Sequence, residues 1–129
     1  MFIVVAGFFP NTFFAADKVN HVATGTWGGE HIAVSVTDDG AKIEFDCAHG
    51  SIEGLIPLDD NNGFDVTGVY VQEQGGPLRQ GGEAERAARY FGKVDGERMS
   101  VTVKVKDAEK EIGTFTLELG KSPVITKCD

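Results

Sequence analysis

Positive charge is scarce in this chain. Lys and Arg number 12 against 20 Asp and Glu, giving a formal net charge of −8. Phosphate backbones and anionic membrane surfaces repel such a surface, so nucleic acid is not an expected partner. Cysteine is scarcer, with only Cys47 and Cys128. Dedicated zinc sites space their ligands closely, and no such spacing occurs here; no metal or other cofactor is expected. No apolar run is long enough to cross a bilayer as a helix, and the one at the N-terminus is interrupted by Pro10. The chain has no Gly-x-Ser-x-Gly, no phosphate-binding loop and no dinucleotide fingerprint, so no catalytic residue can be assigned by motif. Helical periodicity is missing as well.

What the chain does have is glycine, 17 in 129 residues, and alternation. The length suits one domain with a real core. Scattered glycines without a collagen period imply many turns and bent strands. The stretch 25–50 sets a pattern of short strand, acidic-glycine turn and short strand. A first strand is expected over about Val22 to Trp27, and a second over His31 to Val36, where Ile32, Val34 and Val36 share a face. Asp38-Asp39-Gly40 reads as a hairpin turn. Ala41, Ile43, Phe45 and Cys47 then face one way, with Lys42, Glu44 and Asp46 opposite. Ala48-His49-Gly50 reads as another tight turn. Ile52, Gly54, Ile56 and Leu58 share the next face.

Asp59 to Gly63 is a polar turn. It resembles the start of a calcium loop, but the twelfth position, which needs Glu, is Tyr70. Phe64, Val66, Gly68 and Tyr70 resume the alternation, with Gly68 marking a bend or bulge. Glu73 to Arg86, with four glycines and a proline, is the one long loop. After it Ala88, Tyr90, Gly92 and Val94 alternate. Asp95-Gly96 turns, Met99 to Val105 forms the clearest strand, and Gly113 to Leu119 completes the set. About eight short strands in an uninterrupted meander predict an all-β fold. The leading arrangement is an antiparallel up-and-down barrel, with a β-sandwich as the alternative.

Residues 1–16 stand apart from this domain, which occupies 17–129. They read as a signal-peptide remnant, with a cut near Ala15 or Ala16, or as an apolar leader. In an exported protein, Cys47 and Cys128 read as a bridge tying the tail to the body; two unrelated thiols are the other reading. The loop so closed is roughly 80 residues, worth about 4–5 kcal/mol by chain entropy.

Gly25-Thr26-Trp27 at the end of the first strand resembles the opening motif of the calycin barrels: lipocalins, fatty-acid-binding proteins and avidins. The resemblance implies a Trp that plugs one end of the barrel near a basic residue of the last strand. Here Lys121 follows that strand. It brings no biotin or lipid ligand set with it. Trp27-Gly28-Gly29, Asp46 to Gly50 and a terminal Cys together are similar to small exported bacterial proteins of unassigned function, which implies export and a bridge.

The irregular features gather in loops, and the inward face carries no paired acids. The expected function is therefore a non-enzymatic secreted or periplasmic module. It would recognise a small ligand or protein at one rim through Trp27, Glu30, His31, His49, Tyr70, Arg79 and Arg89. Trp27 also reads as a core plug. Arg79, Arg86 and Arg89 concentrate positive charge in and after the long loop, as an anion site or as a counterweight to Glu73, Glu83 and Glu85. Two alternatives are an enzyme pairing His49 with Glu30 or Glu53, and a structural domain of the cell envelope.

Overall fold

A computed structural model of the chain describes residues 21–73, 85–106 and 110–127. The apolar leader, Arg79 and Cys128 lie outside them. The described residues form a closed barrel of eight antiparallel strands in sequence order. These are β1 (Gly25–Gly29), β2 (Ile32–Thr37), β3 (Gly40–Phe45), β4 (Ala48–Glu53), β5 (Gly63–Gln72), β6 (Glu85–Asp95), β7 (Arg98–Val105) and β8 (Lys110–Leu119). The barrel closes where Trp27, Gly28 and Gly29 of β1 face Leu119, Glu118 and Leu117 of β8. Closure leaves the sheet without a free-running edge, which a meander of this length would otherwise expose. Among the described residues no helix is long and apolar enough to cross a membrane.

The period-two pattern reads directly onto the interior. Val34 and Val36, Ile43 and Phe45, Met99, Val101, Val103 and Val105, and Leu117 are all buried, and among the described residues no charged or polar one is buried with them. β1 to β4 turn at one end, here called the upper end, through Glu30-His31 and Asp46-Cys47. At the lower end, the chain before β1 runs beneath the barrel. Val22 N–H donates to Ile56 O at 2.9 Å, and both side chains are buried. Trp27 sits above them with no exposed surface, and its indole N–H donates to Ala23 O at 3.0 Å. It is an interior plug at that end.

Three element boundaries differ from those that periodicity predicts. β1 starts later than Val22, because residues 21–24 form the lower plug, with His21 bridging to Pro57. β4 starts at Ala48, so Ala48-His49-Gly50 is strand; the turn is Asp46-Cys47, where Cys47 takes a positive φ of 54°. Cys47 therefore leaves the inward face that alternation assigns it beside Phe45. Ile56 and Leu58 lie beyond the end of β4 and line the plug instead of a strand face. Gly50 marks no turn but makes room for Tyr90, whose hydroxyl a Cβ there would meet at 2.2 Å. Gly68, where the β4–β5 ladder stops, lets β4 come close: a Cβ there would meet Ser51 O at 2.2 Å and the Tyr90 ring at 3.1 Å. Tyr90 Oη reaches past them to donate to Val69 O at 2.7 Å. The β7–β8 register shifts between Val103 and Lys104.

Among the described residues, apolar side chains pack the interior. Below, Val22, Ile32, Ile43, Ile52, Phe64, Tyr90 and Met99 surround a void of about 20 Å³, the room of roughly one water. Above, Phe45 packs against Tyr70 and Phe115, with ring centroids 5.4 and 5.7 Å apart.

Candidate functional site

The polar chemistry lies at the upper rim, and the C-terminal tail assembles it. After β8 the chain turns back at Gly120 and runs up the outside of β1. Gly28 is the residue that permits this, since a Cβ there would lie 2.0 Å from Lys121 O. At the rim the tail pairs in parallel with Glu30. Val124 N–H donates to Gly29 O at 3.0 Å, and His31 N–H donates to Val124 O at 2.7 Å. Cys47 N–H then donates to Thr126 O at 3.2 Å, and Thr126 N–H donates to Asp46 Oδ1 at 2.8 Å.

Two histidines stand at this rim, His31 in the β1–β2 turn and His49 in β4. His31 Nδ1 contacts Asp46 Oδ2, and His49 Nδ1 lies 2.8 Å from Glu73 Oε2. An ionised carboxylate only accepts, so Nδ1 carries the proton in both pairs. The Thr126 N–H, followed by His31 and Lys127, holds the Asp46 carboxyl below its ordinary value. Partial burial pushes Glu73 upward, but Lys127 and His49 outweigh it, so its carboxyl is also lowered.

Lys127 joins the two pairs. Its ammonium donates to Glu44 Oε1 and Glu73 Oε2, both at 2.9 Å, and approaches Ala48 O at 3.0 Å and Phe45 O at 3.1 Å. Desolvation alone would depress its pKa, yet the two carboxylates raise it above the ordinary lysine value.

The expected contact residues separate into groups. Glu30, His31 and His49 stand at the upper rim. Tyr70 is buried just inside it, where desolvation raises its phenol. Trp27 is in the interior plug. Arg89 lies on the outer wall in a two-bond contact with Asp65, at 2.9 and 2.7 Å, and its guanidinium stacks 4.2 Å from the Phe91 centroid. That pairing raises Arg89 and lowers Asp65. His49 is paired with Glu73, while Glu53 is at the other end of β4. The polar turn at Asp59 is closed on itself, its carboxylate accepting from the Asn61 and Gly63 N–H groups at 2.8 and 2.9 Å. Among the described residues no group of three or more His, Cys, Asp or Glu side chains is placed to hold a metal ion.

Sequence reasoning missed Asp46, Glu73, Glu44 and Lys127 as rim residues. The one available signal is that Lys127 adjoins Cys128, whose expected bridge to Cys47 leads to this turn. The arrangement gathers carboxylates and hydrogen-bond acceptors at the rim. No protein-family model matches this chain, and no curated protein or solved structure matches it.

Proposed function

We propose that this protein is a non-enzymatic, exported β-barrel module that recognises a partner at its strapped upper rim. The observation that carries this is the packing of the described interior, whose lower void is about 20 Å³. Carrier barrels hold a ligand inside, and this one has side chains in that place. Recognition then falls to the surface. The rim is where two turns, the tail, an exposed and a half-buried histidine and three carboxylates, Glu44, Asp46 and Glu73, converge. Its acidity favours a cationic partner.

Export is supported by the leader and by the tail's path. Thr126 is hydrogen-bonded to Cys47, which brings the chain to within two residues of Cys128 at the expected bridge. Kinship with the calycin barrels is supported by strand number, meander order and the plug position of Trp27. A photo-crosslinking amino acid tests the rim in the living host. Placed at His31 it is expected to give a discrete adduct, and placed at Ser100 on the outer wall of β7 it is expected to give none. Equal capture at both positions, or capture only at Ser100, would sink the proposal.

A further inference from the structure

The turn that leads from the lower plug into β5 holds one reactive dipeptide. Asn62 is the only asparagine in the chain followed by a glycine. That pairing is labile by its chemistry: glycine has no side chain to shield its nitrogen, which can attack the asparagine side-chain carbonyl. Asn62 is exposed, so water reaches its amide. It stands in the left-handed region, at a φ of 63°, which asparagine tolerates better than most residues. The turn therefore suits asparagine and brings the liability with it.

The attacking atom is held in place. Gly63 N–H donates to Asp59 Oδ1 at 2.9 Å, and Asn61 N–H donates to the same oxygen at 2.8 Å. Asp59 N–H donates back to Gly63 O, and Asn62 N–H donates to Asp59 O, both at 2.9 Å. Val94 N–H donates to Asn62 O at 2.9 Å and ties the turn to β6. The Gly63 and Asn61 amides keep the Asp59 carboxyl below its ordinary value, so it is ionised at neutral pH. Gly63 N must lose its proton before it can attack. Losing it beside a carboxylate sets two negative charges together, which disfavours the step. Reaching the asparagine Cγ also requires the backbone to leave hydrogen bonds on both flanks.

We propose that Asn62 is a site of spontaneous deamidation and that Asp59 is its clamp, so that conversion follows local opening of this turn. The Gly63 nitrogen gives its proton to solvent and bonds to Asn62 Cγ. The bond from Cγ to the side-chain nitrogen breaks and ammonia leaves. Water then opens the resulting succinimide to aspartate or isoaspartate. Either product adds a carboxylate to a chain whose formal net charge is already −8. Isoaspartate also routes the backbone through the former side chain, one carbon longer, at the residue that receives the Val94 N–H. The lower end thereby keeps a lasting mark of each opening.

The test follows the full folded chain at neutral pH by intact mass and peptide mapping, beside a synthetic peptide of residues 59–65. Wild type should convert at position 62 at least about tenfold more slowly than the peptide, the effect of one neighbouring like charge. Asp59→Ala should convert at least about threefold faster than wild type, with circular dichroism confirming that the barrel persists. Asp59→Asn keeps an acceptor oxygen for both amides and should stay slower than Asp59→Ala. Wild type converting as fast as the peptide, Asp59→Ala no faster than wild type, or Asp59→Asn at the Asp59→Ala rate would overturn the proposal. So would conversion that begins at another asparagine.

Discussion

Asp46 carries more of the rim than its place in a two-residue turn suggests. One carboxylate oxygen receives the Thr126 N–H and the other faces His31, with the Lys127 ammonium nearby. Its folded pKa is lowered, so its contribution to stability is present above the unfolded-state value and is lost as pH falls through the folded one. The Thr126 amide proton should therefore keep its NMR shift down to about pH 4 and then move, with a midpoint below the ordinary 3.8. A midpoint above 3.8 would mean that the Thr126 bond does not hold this carboxylate. At the residue scale, the sequence makes buried positions legible and polar ones obscure. Ile43, Phe45, Val101 and Val103 announce themselves by alternation with polar neighbours. Cys47 does not, because nothing in its side chain signals a left-handed turn. Gly50 misleads, since its missing side chain serves the Tyr90 hydroxyl and not a turn.

Among the elements, the C-terminal strap is the one that organises the rim. Periodicity identifies strands because it is local, but the strap's partners are remote. Lys127 meets Glu44 across 83 residues and Phe45 O across 82, and His49 meets Glu73 across 24. Only the path of the folded chain brings them together, so Glu73 and Lys127 look like ordinary loop and tail charges in the sequence. Gly28 is the local trace of that path. Gly28→Ala would drive a Cβ into the Lys121 carbonyl, where backbone and not a flexible side chain must move. It should cost roughly 1–3 kcal/mol in urea denaturation, the usual range for overpacking. The loss should come with faster exchange at the His31 and Cys47 amides, which the strap protects. An unchanged midpoint with unchanged exchange would show that the strap does not lie against β1.

For the whole molecule, barrel closure is legible because eight strands in meander order leave two edges that stability requires to meet. Whether the barrel is hollow is not legible. An alternating pattern supplies inward side chains but not the sum of their volumes against the space enclosed. Here Trp27 and Val22 fill the lower end, Tyr90 crosses the middle over Gly50 and Gly68, and Phe45, Tyr70 and Phe115 fill the upper end. The central claim is that this interior admits no ligand and that recognition belongs to the rim. Native mass spectrometry of the protein purified from its own host tests it most directly. The folded protein should show the mass of its polypeptide with no small molecule retained. A stoichiometric lipid or other apolar adduct, released only on unfolding, would contradict the account.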